Sequence, residues 1–295
     1  VITSKPRVDV KAASINWSRW RKPAILGAIL VPALVWGAIV LTYCIPASDW
    51  RGNYLPAIRD MMQLNSPYTD HAAYNPFWTY ILLMPIALLP PAIGNAVIAI
   101  ACMGSLAFVA YKMGAKPLSI ALLLTLPQVR FLSMNGGIDW LIPIGFILPP
   151  QIGLFFVMIK PQVGIMVAAF WFVEAWRKGG IKEIFRVFLP IAIAYGIGYA
   201  LFGMDAIWRG SVFIGTAYPW DATTFPYTIA VGLVLLVMSI RSHNIRFVIP
   251  ASQFIAPYVA FYSWPVALFS IINDTWLMVA ASFGMWIWAA VSPAF

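Results

Sequence analysis

PAILGAILVPALVWGAIVLTYCI, residues 23–45, runs without a charged side chain and gives way at once to PASDWRGNY, residues 46–54, which carries Asp49 and Arg51. An apolar core of about 30 Å crossed at 1.5 Å per residue takes about 20 residues of helix. The first stretch is therefore long enough to span a bilayer, and it follows a basic segment, residues 1–22, which reads as an uncleaved span and not a removable signal. The second stretch opens a polar interruption, residues 46–76, that closes on Ser66-Pro67-Tyr68 and Tyr74-Asn75-Pro76-Phe77. A connection of about 30 residues is long for two helices and implies local structure or function.

Composition agrees with the first span. Of 295 residues 62% are hydrophobic and 10% charged, and the mean hydropathy is +0.83. That is too apolar for a soluble domain and places the chain among integral membrane proteins. Fourteen Trp fit a protein with headgroup-zone belts. The net charge of +9 clusters between apolar runs, as anionic headgroups and the positive-inside rule require, which argues against a nucleic-acid partner. Cys44 and Cys102 lie in apolar runs without metal-ligand spacing, and His71 and His243 are too few and too distant for a metal site. No metal and no other cofactor is expected.

Further apolar runs cover 94–111, 117–134, 161–176, 187–203, 226–240, 247–264 and 275–292. Residues 77–90 are apolar but short, and 138–159 is broken by Pro149-Pro150. The expected fold is an all-α polytopic membrane protein of about 8–10 transmembrane helices, residues 23–295 forming one domain, because lipid-facing backbone must be bonded within its own segment. Lys5, Arg7, Lys11, Arg19, Arg21 and Lys22, with Arg177, Lys178, Lys182 and Arg186 and with Arg241 and Arg246, mark cytoplasmic segments. Residues 46–76 and 204–225 then lie outside and hold Asp49, Asp60, Asp70, Asp205 and Asp221. Two solutions fit the middle. If 77–90 and 138–159 each cross once, Lys112 and Lys116 fall outside and Gly136 inside. If 77–90 dips and returns while Pro149-Pro150 makes a hairpin, the lysines fall inside and Gly136 outside, in better agreement with positive-inside. In the first loop, Leu55, Ile58, Met61 and Met62 recur at helical spacing and predict an amphipathic surface helix over 53–64.

Few residues carry chemistry. Asp49, at the water–bilayer boundary, reads either as a general base towards an acceptor hydroxyl or as a solvated loop residue or helix cap. Lys160, between the run 155–159 and Pro161, either reaches towards headgroups or neutralises a lipid-borne phosphate. Arg130 sits in an apolar span, where charge demands a partner; pairing with Asp139 and phosphate binding are both open. Asp60, and Asp70 with His71, read as structural. No phosphate loop, G-x-S-x-G elbow, H-E-x-x-H run or carboxylate cluster is present, so soluble-enzyme chemistry has no support.

The order Asp49, Tyr54, Pro67-Tyr68, Tyr74-Asn75-Pro76-Phe77, Met84-Pro85, Leu89-Pro90, Met134-Asn135-Gly136, Lys160-Pro161-Gln162, Trp176-Arg177-Lys178 and Ala256-Pro257-Tyr258 resembles glycosyltransferase family 87, over roughly residues 20–265. The resemblance implies a GT-C-like bundle and transfer of mannose or a similar sugar from a polyprenyl-phosphate donor to an acceptor on the external face of the plasma membrane. It implies Asp49 as base, Lys160, Arg130 and Arg51 at the donor phosphate, and Tyr54, Tyr68 and Trp50 as walls for sugar or lipid. The expected partners are the lipid-linked sugar, membrane lipids and, in a second reading, other membrane subunits. That second reading, a catalytically degenerate accessory subunit, follows from Gly136-Gly137 replacing the family's Gly-Gln and from the compressed segment before Lys160. A third, a lipid or small-molecule transporter, draws on the broken spans, although no inverted repeat is visible.

Overall fold

Proline decides where five helices begin. Pro91, Pro117, Pro127, Pro150 and Pro161 stand in first turns, and the residues before them are held away from helical geometry: Pro90 (φ −52°, ψ 140°), Lys116 (−78°, 158°), Leu126 (−59°, 136°), Pro149 (−54°, 140°) and Lys160 (−128°, 93°). The pyrrolidine ring crowds the preceding residue out of the helical region, while its missing N–H is no loss at a position without an acceptor. None of these five helices has a side-chain cap. Proline supplies the punctuation that Ser, Thr or Asp gives elsewhere.

The computed structural model describes residues 17–43, 47–68, 73–208 and 218–291. In chain order the helices are α1 (Trp17–Thr42), α2 (Leu55–Met62), α3 (Phe77–Ala87), α4 (Pro91–Lys112), α5 (Pro117–Leu124), α6 (Pro127–Asn135), α7 (Ile142–Phe146) and α8 (Pro150–Val157). There follow α9 (Pro161–Phe202), α10 (Asp205–Trp208), α11 (Ile229–Ser242), α12 (Ile245–Val248), α13 (Ala251–Ile255) and α14 (Thr275–Val291). The fold is all-α: among the described residues the only extended pairing is a single bridge between Asp221 and Ala260. Most of the basic segment 1–22, together with Cys44, Asp70 and His71, lies outside the described residues.

Two helices among the described residues, α4 and α9, are long and apolar enough to cross a membrane; α5 and α6, bent by 59° at Leu126-Pro127, make a third if counted as one span. The outer surface is apolar, with Leu34, Ile193, Val234 and Phe283 each more than half exposed. α9 is two legs. Gly179 (φ −161°, ψ 22°) and Gly180 (φ 58°, ψ −144°) break it, and Phe172 meets Phe188 at 5.7 Å between ring centroids, so the legs run antiparallel. These legs are the predicted runs 161–176 and 187–203.

The ends of the bundle follow from contacts. α1 and α4 pass so closely that a Cβ on Gly37 would lie 2.3 Å from Ile100 Cγ1, and Trp50, just beyond α1, donates from Nε1 to Pro91 O at 3.2 Å. The two helices are therefore antiparallel, which sets Lys112 at the end where α1 begins. Arg246 joins that end by donating to Met113 O at 2.6 Å. At the opposite end Ser48 Oγ bonds Asn135 Oδ1 at 2.9 Å. α7 and α8 form the hairpin that Pro149-Pro150 predicts, with a Cβ on Gly153 only 2.6 Å from Gly145 O. Both flanks of α3 lie at the Asp49 end, since Asn75 bonds Ile159 O and Pro91 bonds Trp50. The arrangement is that of the second solution, with Lys112 at the end where α1 begins and Gly136 at the Asp49 end.

Two expectations change. Run 247–264 is not one helix: α12 and α13 are short, Ala256 is extended (φ −75°, ψ 133°) before Pro257, and a tight helical stretch, Phe261–Ser270, follows. Pro250 and Pro257 remove the donors that a continuous helix would need. The predicted helix over 53–64 is shorter, Leu55–Met62, and its Leu55, Ala57 and Ile58 are buried in the protein, not laid on a lipid surface.

Candidate functional site

The site is assembled at the end of the bundle where α1 stops. Ala47 turns the chain with a left-handed φ of 51°, and its carbonyl accepts from Arg51 N at 2.8 Å. A widened turn over Trp50–Tyr54 follows, in which Leu55 N reaches back five residues to Trp50 O. Such turns are rare in helices and gather at functional sites. Here the turn seats Trp50 fully inside and leaves Asp49 half-buried at the rim.

Gly136 and Gly137 explain how Asp49 can sit there. Gly136 has φ 72°, and a Cβ on it would lie 2.5 Å from Trp50 Cβ; a Cβ on Gly137 would lie 3.3 Å from Asp49 Oδ2 and 2.6 Å from Leu132 Cδ1. Only a residue without a side chain permits both the left-handed turn and this approach. Gly136→Ala is expected to destabilise the protein by about 2–4 kcal/mol, from backbone strain and overpacking together. A melting temperature in detergent equal to that of the parent protein would contradict this.

Asp139 and Lys160 form the buried centre. Asp139 is fully buried; Lys160 Nζ approaches its Oδ2 at 2.6 Å, and Ser263 Oγ donates to its Oδ1. The Lys160 ammonium also stands 4.9 Å from the centre of the Tyr262 ring, a cation–π distance. Because Lys160 precedes Pro161, its backbone is extended and the ammonium is presented between α8 and α9 and not along either. Asn75 fixes that position: its Nδ2 donates to Ile159 O at 3.0 Å, its own carbonyl accepts from Tyr68 Oη at 3.0 Å, and its N–H bonds Tyr80 Oη at 3.1 Å.

Asp49 belongs to the same electrostatic unit. Burial pushes its carboxyl up from 3.8 to about 6; Lys160 pulls the other way, and Asp139 adds to the rise. Tyr54, buried, has its phenol raised well above 10, by burial first and then by Asp49 and Asp139. The arrangement sets a carboxylate that is basic at neutral pH within the electrostatic influence of a buried ammonium. That is a pairing suited to removing a proton from one group while stabilising negative charge on another.

The structure thus gathers Asp49, Lys160 and Tyr54, and separates the other expected residues. Arg130 and Arg51 are exposed, and Asp139 pairs with Lys160, not with Arg130: Arg130 begins the second turn of α6 on its outward side. Trp50 and Tyr68 are 0% and 1% exposed, with Tyr68 packed edge-on against Tyr80 and Phe202. They are core pieces with no open ring face, because the loop folds inward onto the bundle. Sequence reasoning missed Ser263, Tyr262 and Asn75 as partners of the centre. Asp139 and Lys160 flanking one doubled-back apolar segment was a readable signal for their pairing; a lone Ser in an apolar run gave none. Comparison with protein-family models, curated proteins and solved structures finds no match to this chain.

Proposed function

We propose that this chain is a polytopic membrane glycosyltransferase of GT-C-like architecture that moves a sugar, mannose or similar, from a polyprenyl-phosphate donor to an acceptor on the external face. The observation that carries the reading is the convergence of Asp49, from the first loop, with Lys160 and Asp139, from the two ends of the α7–α8 hairpin, in one charged cluster. In the proposed step Asp49 takes the proton of an acceptor hydroxyl as its oxygen bonds to the anomeric carbon. The carbon–oxygen bond to the donor phosphate breaks with its electron pair leaving on phosphate, and configuration inverts. Lys160 neutralises the departing phosphate. The basic end of the bundle would face the cytoplasm, by the positive-inside rule.

A second reading, a non-catalytic subunit of a membrane assembly, is favoured by one feature: Lys160 already has a counter-ion in Asp139, so it serves a phosphate only by exchanging partners. Purified protein in vesicles supplied with polyprenyl-phosphate mannose and a hydroxyl acceptor separates the two. Release of polyprenyl phosphate with formation of glycosylated acceptor is the expected result. Absence of turnover across hexose and pentose donors, together with stable co-purification of other membrane proteins, would replace it with the subunit reading.

A further inference from the structure

Two cavities, of about 360 and 490 Å³, open at the end of the bundle far from Asp49 and Lys160. Neither has a place in sugar transfer. The first lies between the two legs of α9 and the start of α8, and is lined by Gln151, Trp171, Arg177, Lys178 and Arg186. The second shares Glu183 and Arg186 with it and adds Lys182.

We propose that this cleft binds a phosphate group, supplied by the headgroup of an anionic lipid. The cations are held in place by two carboxylates: Glu174 Oε1 lies 3.0 Å from Arg177 Nη1, and Glu183 Oε1 lies 2.5 Å from Arg186 Nη2 and 3.5 Å from Lys178 Nζ. Arg177 is fixed further by donating from the same Nη1 to Ile240 O at 2.5 Å. Three cations set against two carboxylates leave the first cavity positive, and Lys182 adds to this from the second. A guanidinium carries five N–H donors, and these contacts engage one nitrogen of each arginine, so the forks retain donors for a tetrahedral oxyanion. The first turn of α8, through Pro150 and Gln151, also lines the cavity and adds its positive end.

The surroundings select a lipid as the source. Trp176, Ile181 and Phe185 are each more than half exposed around the tip of α9, and Phe185 and Leu189 line the second cavity. A charged cleft inside an apolar collar matches an amphiphile with an anionic head. The inference rests on the chain being embedded in a membrane, and it does not depend on sugar transfer.

The test uses the full chain in neutral detergent, with thermal unfolding and native mass spectrometry read in parallel. Phosphatidylglycerol is expected to raise the melting temperature and to remain as a one-to-one adduct, and phosphatidylcholine to do neither. Arg186→Gln combined with Lys178→Gln should weaken the phosphatidylglycerol response at least about tenfold, from the loss of charged hydrogen bonds, while Lys112→Gln, at the same end but outside the cleft, leaves it unchanged. Arg186→Lys, which keeps the ion pair, serves if the double variant does not fold, and is expected to lose a clear part of the response because a point charge does not replace the fork; a response equal to the parent's would overturn the site. Equal responses to the two lipids, or equal losses in Lys112→Gln and the cleft variant, would overturn the site. A response to inorganic phosphate as strong as to the lipid would keep the phosphate site and overturn the lipid as its source.

Discussion

Asp49→Asn is expected to lower sugar transfer by about 10²–10⁴-fold, the range by which a positioned general base accelerates a reaction, and to leave the protein folded. The second half of that expectation comes from the sign of the pKa shift. A carboxyl raised from 3.8 to about 6 binds its proton more tightly in the folded state than in the unfolded. Its contribution therefore favours folding below about 3.8 and fades as pH rises through 6. At pH 7 the ionised Asp49 is a mild burden on stability, and the amide that replaces it should melt no earlier than the parent. The same shift sets the activity profile: transfer should rise with pH around a midpoint near 6 and level off above it, because only the ionised carboxylate accepts a proton. A pH-independent rate, or a variant that retains turnover while folded, would remove Asp49 from the base role.

Lys160→Met should be the most destabilising single change at the site, at about 3–5 kcal/mol, because it leaves the Asp139 carboxylate buried without its counter-ion. Asp139 is fully buried and Lys160 8% exposed, so water cannot take over the lost contact. Ser263 still donates one hydrogen bond, which satisfies an oxygen and not the charge. Adding Asp139→Asn to Lys160→Met removes the stranded charge, and the double variant is expected to recover most of the lost melting temperature. If the two changes were simply additive, the pair would not be the coupled unit described above. Transfer activity should stay low in the double variant even as stability returns, since the phosphate would still lack its cation.

Much of this architecture was legible because apolar run length and proline position are local properties. Run 23–45 falls largely in α1, run 94–111 became α4, and Pro149-Pro150 made the expected hairpin. Run 247–264 misled because average hydropathy does not register the donors that Pro250 and Pro257 remove. The site was half legible. Asp49 and Lys160 stood out as charges at the edges of apolar runs, and both came to one cluster. Trp50 and Tyr68 looked like substrate walls because aromatic rings in a boundary loop are equally suited to a sugar face or a core. Which of these they are depends on whether the loop folds inward, and that is set by contacts such as Trp50 with Pro91 and Tyr68 with Phe202, far apart in sequence. Proximity along the chain made Asp139 one of two open readings for Arg130, beside phosphate binding; the hairpin brings Lys160 to that carboxylate instead.

The hairpin has a further consequence for how the chain is made. Asp139 and Lys160 are 21 residues apart, whereas Ser263 follows Asp139 by 124. As the polypeptide emerges from the ribosome, α7 and α8 are complete with both charges in hand long before the hydroxyl exists. The hairpin thus holds both members of the ion pair within one short stretch of chain, and Ser263 is the last of the three to be made.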